Sequence, residues 1–267
     1  MPRSTLSVAI VTLNEADNLV RTLTSVRFAD EIVVVDSGST DGTMEIARSF
    51  GAKVFSEEWK GFALQKNSAI DKCTGTWVLS LDADEELTAE LQVEIQRMLE
   101  ADVQLVPPVD GYRLRLRHVF LGRWMRYGGY YPDMKLRLFR RVTSSGAAHF
   151  TDRPVHESVQ VAGRVGTMEK DFFHHGYPNL EVYLEHMDRY STLGARIVAG
   201  KGKTSQSWPA FCWNVTLVPL LTFVWNYIFR LGFLDGREGL LLHLYHSAYI
   251  SWKYAKAWQI GCGVGSV

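Results

Sequence analysis

The sequence predicts an α/β protein: a Rossmann-like, mostly parallel sheet with helices on both faces, followed by C-terminal membrane-associated helices. Three observations lead there. Short apolar, β-branched runs alternate with stretches of helical periodicity through the first hundred residues, an order that builds βαβ units and parallel pairing. Acidic or glycine-rich turn segments follow those runs. Residues 204–229 carry no charge and hold seven aromatic side chains, long enough to cross a bilayer.

Residues 6–13 (LSVAIVTL) form a run suited to a strand buried on both faces. Asn14, Glu15 and Asp17 then open a helix with Leu19, Leu23 and Val26 at helical spacing. Residues 32–35 give a second strand, ending in Asp36 and the turn Ser37-Gly38-Ser39-Thr40-Asp41-Gly42. Met44, Ala47 and Phe50 recur every three residues in a helix closed by Gly51. A short strand at 53–55, a helix at 62–72 and a strong strand at 77–81 complete the pattern. Ligands of such sheets bind beyond the carboxyl ends of the strands, so Asn14, Glu15, Asp36, Asp82 and Asp84 are expected on one edge.

The character changes after a helix at 90–100 and the break at Pro107-Pro108. Residues 112–141 alternate apolar and basic residues, as in half-solvated strands, with nine Lys/Arg and one acid between 113 and 141. Residues 180–198 form an amphipathic helix. The uncharged aromatic run is interrupted by Asn214, Thr216, Pro219 and Asn226 and flanked by Lys201, Lys203, Arg230 and Arg237, a pattern of helices that lie in the interface. With a turn at 233–236 and a helix at 240–258, it reads as a hairpin on or shallowly in the cytoplasmic leaflet; an ordinary buried helical pair is the alternative. The expected division is 1–105, 106–200 and 201–267.

Charge supports two functional halves. The total is 29 Lys+Arg against 29 Asp+Glu, yet residues 1–105 hold 9 basic and 18 acidic side chains and residues 106–267 hold 20 and 11. The second half should face something anionic. Three unpatterned cysteines argue against a disulfide framework or a cysteine zinc site and fit a reducing cytoplasm. No apolar run at the N-terminus is long enough for a secretion signal.

Asp82-Ala83-Asp84 is the centre of the chemistry. Residues two apart in an extended chain point the same way, and paired carboxylates with room for water and phosphate suit Mg²⁺ or Mn²⁺ bridging a diphosphate. The alternative is an acidic loop that, with Glu85 and Glu86, favours the next helix N-terminus. Asp36 and its turn suit hydrogen bonds to a ribose or base, or simply a capped turn. Thr12-Leu13-Asn14-Glu15 is equally open taken alone.

These motifs together, TLNE at 12–15, VVDSGSTDGT at 34–43, QKN at 65–67 and LDADE at 81–85, resemble family 2 glycosyltransferases, which have the GT-A nucleotide-diphospho-sugar transferase fold. GGYYPD, KLRLFRR, PVHES, HHGY and GFLDGREG are similar to bacterial lipopolysaccharide inner-core β-1,4-glucosyltransferases. The resemblance implies that Thr12, Asn14, Glu15 and Asp36 line the nucleoside pocket, with Asp36 on uracil or ribose. It implies Lys66 near the diphosphate, Asp82 on ribose or metal-bound water, and Asp84 on the metal. An inverting displacement also needs a base; Glu157, in PVHES, is the candidate and Asp133 the runner-up. The family often takes a further metal ligand from a later histidine, so either His174 or His175 could serve, and His175 is the choice. Arg137, Arg140 and Arg141 are expected on core or lipid phosphates, and Tyr130 and Tyr131 on acceptor sugar rings.

The expected function is a metal-dependent, inverting transfer of a hexose, from UDP-glucose, to a lipid-linked core oligosaccharide. The enzyme would be cytoplasmic and peripherally attached to the inner membrane surface. Transfer to polyprenyl phosphate, or a nucleotide-sugar-binding protein without catalysis, are the alternatives. Nucleic acid is not an expected partner, since the basic half has neither a recognition helix nor a zinc pattern.

Overall fold

The computed structural model describes residues 3–102, 109–143, 146–151 and 158–263. The first apolar runs become β1 (Leu6–Thr12), β2 (Glu31–Asp36), β3 (Lys53–Ser56) and β4 (Trp77–Asp82), paired in parallel in the order β3-β2-β1-β4. Between them run α1 (Ala16–Ser25), α2 (Thr43–Ser49) and α3 (Phe62–Asp71). The chain order reverses between β1 and β4, so the crevice beyond their carboxyl ends is the switch point of the sheet.

Alternation along β1 explains why both faces are covered. Leu6, Val8 and Ile10 enter one core with Leu19 and Leu23 of α1, together with Leu91, Ile95 and Leu99 of α4 (Ala89–Ala101). Ala9 turns to the opposite core, with Ala63, Ala69 and Ile70 of α3. Each large side chain buried this way contributes about 1.5–3 kcal/mol.

The sheet continues antiparallel. β5 (Glu85–Leu87) follows β4 in sequence but lies at the far edge, against β13 (Val165–Tyr177). Next to β4 come β8 (Asp133–Arg140) and β6 (Gly111–Phe120), with β7 (Arg123–Trp124) folded back on the end of β6. Two small ribbons complete the strands: β9 (Val142–Thr143) with β10 (Gly146–Ala147), and β11 (His149–Thr151) with β12 (Ser158–Gln160).

The residues pack as two compact units, Met1–Arg117 with Asp133–His175, and His118–Pro132 with Gly176–Val267. The expected cuts at 105 and 200 are therefore not where packing divides the chain. Residues 118–132 group with the C-terminal helices, although the chain before and after them groups with the sheet. The second unit holds α5 (Leu180–Gly200), α6 (Trp208–Phe229) and α7 (Gly236–Gly261). Its core joins Tyr183 and Met187 of α5 to Leu242 of α7, with Phe120 and Met125.

α6 is long and apolar enough to cross a membrane, and it carries exposed aromatic side chains: Trp208 is 76% and Trp225 58% accessible. It packs on α7 around Pro219, its one buried residue among those described. Proline has no N–H for the carbonyl four residues earlier, and Val215 O accepts from Ser251 Oγ instead (2.8 Å). Ser247 Oγ donates to Pro219 O (2.6 Å). Two π-helical turns, Trp213–Leu217 and Trp225–Phe229, flank this point.

Candidate active site

The loops at the switch point are knitted by side chains. Asp36 is fully buried and accepts from Thr12 Oγ1 (2.8 Å), Gly38 N (2.9 Å), Ser39 N (2.8 Å) and Ser39 Oγ (2.5 Å). Burial would raise its pKa, but these donors hold it below the ordinary carboxylate value. Asp36 thus builds its turn, with both oxygens already engaged. Asn14 stands in the left-handed region (φ 55°) and its Oδ1 accepts from Thr40 N (2.9 Å). The α1 amides are capped from the next loop, Glu15 N by Thr43 Oγ1 and Ala16 N by Asp41 Oδ2. The Glu15 carboxylate is left to accept from Asn18 (2.9 Å), and burial pushes it up to about 7.

β4 ends at Asp82 and the chain turns at Ala83-Asp84; Asp82 and Asp84 are partly exposed and interact electrostatically, while Ala83 and Glu85 are buried. Lys66, from α3, places Nζ 2.8 Å from Asp82 Oδ1. Arg137 Nη2, from β8, lies 2.9 Å from Asp82 Oδ2 and 2.5 Å from Glu85 Oε1, and Asp82 N donates to Glu85 Oε2 (2.9 Å). Burial opposes ionisation of Asp82, but Lys66 and Arg137 outweigh it and keep the carboxyl well below its usual range. Burial lifts Glu85 to about 7 despite Arg137.

His174 Nε2 lies 3.1 Å from Asp84 Oδ2. Burial would lower the imidazole pKa, but Asp84 raises it to about 9. His175, the expected ligand, instead turns to Glu86 Oε2 (2.9 Å). Neighbouring residues of a strand face opposite ways, and the register pairing His174 with Glu85 decides which one meets Asp84. Asp84 Oδ2 and His174 Nε2 face each other at 3.1 Å, so the two would be within reach of one shared cation. Both side chains are partly open, 18% and 25% exposed. Among the described residues no group of three or more His, Cys, Asp or Glu forms a metal cage. An open carboxylate–imidazole pair fits a divalent cation whose other positions go to phosphate and water.

The expected phosphate-binding arginines are corrected by the structure. Arg137 is an internal counter-ion, 11% exposed. Arg140 donates to Asp102 (2.5 Å) and Val109 O (3.1 Å) and lies over the Trp77 ring, and Arg141 donates to Gly75 O (3.2 Å). Asp133 lies 3.0 Å from Lys135 Nζ. Tyr130 and Tyr131 belong to the second unit, where Tyr130 packs on His118 and His243 and Tyr131 on Trp124. Glu157 lies outside the described residues.

Sequence reasoning gave Glu85 only to a helix N-terminus and missed its buried pairing with Arg137, as it missed the tie between Asn67 and Phe150, whose amide and main chain bond each other in both directions (2.9 and 2.6 Å). Glu85 left a signal, an acid at an inward position between Ala83 and Leu87; the Asn67 tie spans 83 residues and left none.

The chain matches the family described as Glycosyl transferase family 2 over residues 7–158. Lipopolysaccharide core biosynthesis glycosyltransferase LpsC of Rhizobium meliloti (strain 1021) is 30% identical, covering 97% of this chain and 94% of its own. An uncharacterized glycosyltransferase of Rickettsia bellii (strain RML369-C) is 33% identical over 74% of this chain and 69% of its own. The solved mannosyltransferase PcManGT from Pyrobaculum calidifontis, in complex with GDP-Man and Mn²⁺, is similar in fold, with a TM-score of 0.50 and 16% identity over 96% of this chain and 88% of that one. With the family matched over more than half its length and a relative aligned along nearly all of it, the chain belongs to glycosyl transferase family 2 and is a glycosyltransferase of the GT-A fold.

Proposed function

We propose that the protein transfers a hexose, glucose from UDP-glucose, with inversion to a heptose of a lipid-linked lipopolysaccharide core, at the cytoplasmic face of the inner membrane. The observation that carries the reaction type is the carboxylate–imidazole pair Asp84–His174 beside Asp82 at the switch point of the sheet. Support for the acceptor class is the similarity to LpsC along nearly the whole chain.

In this reading Asp84 and His174 hold Mg²⁺ or Mn²⁺, which supplies positive charge to the departing diphosphate. Thr12, Asn14 and Glu15 line the nucleoside side, with Asp36 fixing the loop beneath it. Lys66 and Arg137 hold Asp82 ionised and in place. Glu157 takes the acceptor hydroxyl proton as that oxygen bonds to the anomeric carbon from the side opposite the diphosphate. The anomeric C–O bond breaks and its electron pair leaves with UDP. Tyr130 and Tyr131 offer rings to acceptor sugars.

The exposed aromatic face of α6 supports peripheral attachment, Trp208, Trp213 and Trp225 being the side chains suited to the interface. An enzyme held there meets a leaflet-confined acceptor at high effective concentration.

The test is UDP release from a panel of nucleotide sugars, with and without deacylated core oligosaccharide, before and after chelation. UDP-glucose turnover that needs both acceptor and cation is expected. Turnover with polyprenyl phosphate and none with core acceptor, or turnover that survives chelation, would overturn the proposal.

A further inference from the structure

Asp235 sits at the N-cap of α7 but makes no capping bond to its own helix. It is 2% exposed, and its carboxylate accepts from Arg126 N (3.1 and 3.2 Å) and Tyr127 N (2.8 Å). The next amide, Gly128 N, donates to Arg230 O (2.9 Å). Three consecutive amides of the loop before Tyr130 and Tyr131 are therefore bonded to the segment that joins α6 to α7.

Packing reinforces these bonds. Gly128 has φ +66°, and a Cβ there would fall 2.1 Å from the His243 ring; a Cβ on Gly232 would fall 2.3 Å from the same ring. The imidazole is 1% exposed and neither nitrogen has a hydrogen-bond partner among the described residues. It acts as a wedge between two glycine backbones, with the Tyr130 ring 5.8 Å from its centre. A buried carboxylate is costly unless its charge is answered, and here main-chain amides of one loop answer it. Such charge-assisted bonds are short and directional, so they fix where the loop lies.

We propose that Asp235 is a positioning residue for the acceptor: through the amides of residues 126 and 127 it sets the loop that presents Tyr130 and Tyr131. The C-terminal hairpin then serves acceptor recognition as well as attachment. The inference rests on the proposed contact of these tyrosines with acceptor sugars.

The test uses the full chain and a soluble acceptor, deacylated core oligosaccharide, so that membrane attachment has no part in the result. Asp235→Ala is expected to raise the acceptor KM about tenfold, the loss of a charged hydrogen-bond acceptor, with Asp235→Asn between it and wild type. The UDP-glucose KM stays near wild type, and amide exchange accelerates at residues 126–128. Gly128→Ala, which collides with His243, should show the same split between acceptor and donor even if the Asp235 variants fold poorly. An unchanged acceptor KM in Asp235→Ala, or donor and acceptor KM rising together, overturns the proposal. Should wild type use no core acceptor, the functional reading fails, and unchanged exchange at 126–128 would then overturn the positioning role by itself.

Discussion

Arg137→Met removes the cation that joins buried Glu85 to partly exposed Asp82. The guanidinium bridges Asp82 and Glu85, and the Glu85 side chain is 1% exposed. The substitution keeps a long unbranched side chain, so volume is largely conserved and the loss is electrostatic. Taking one partner from a buried pair costs about 3–5 kcal/mol, because the other charge is left uncompensated. For a folding unit of this size each kcal/mol lowers Tm by about 2–4 °C, so thermal unfolding should begin roughly 6–20 °C lower. Scanning calorimetry of the unliganded protein reads this directly. The double variant Arg137→Met with Glu85→Gln should recover most of the loss, since Gln keeps an oxygen for Asp82 N without a charge. Near-wild-type stability in the single variant, or no recovery in the double one, would refute the assignment of Arg137 as an internal counter-ion.

Other outcomes follow from the site and its surroundings. Asp84→Asn should lower kcat by roughly 10²–10³-fold, and added Mn²⁺ should not restore it; near-wild-type UDP release would remove Asp84 from the cation. Glu157→Gln should lower kcat by about 10²–10⁴-fold with little change in UDP-glucose KM, and full turnover would exclude it as the base. Glu31 lies against Ser7, Lys53 and Thr74; burial opposes its ionisation, yet these partners hold its pKa at about 2, against an ordinary 4.5. A depressed pKa gives stability that is present above about 4.5 and lost as pH falls toward 2. The difference is worth roughly 3 kcal/mol at most, and Glu31→Gln should flatten the acid limb of a Tm–pH curve. Replacing Trp213 and Trp225 by Ser should weaken partition onto anionic vesicles at least about tenfold, while turnover of soluble acceptor persists; unchanged sedimentation with vesicles would argue against α6 as the attachment face.

Much of the donor side was legible. β1, β2 and β4 are short apolar runs because the sheet buries them on both faces, and chain order with short connections leaves little choice but parallel pairing. The place of Asp82 at the end of β4, with Asp84 in the turn that follows, was legible from the apolar run before them. Arg137 and Arg140 were expected on phosphates and instead pair with acids of the protein itself. Alternation in a strand separates its two faces but does not tell which face another layer covers, and the acid that claims Arg137 lies 52 residues earlier. His174 and His175 show the same limit more sharply. A strand slip of one residue exchanges the faces of both, so the ligand choice depended on a register the local sequence does not encode.

The sequence by itself determined the α/β class, the order of the donor-side elements and the family, since these rest on local periodicity and on motifs at short range. Only the tertiary structure decided that His174 meets Asp84, that Lys66 and Arg137 converge on Asp82, and that the loop before Tyr130 is tied to the turn before α7. Those facts depend on strand register and on contacts between residues far apart in the chain. A short window of sequence fixes which way a side chain points from its own backbone, while the partner it meets is set by the packing of the whole unit.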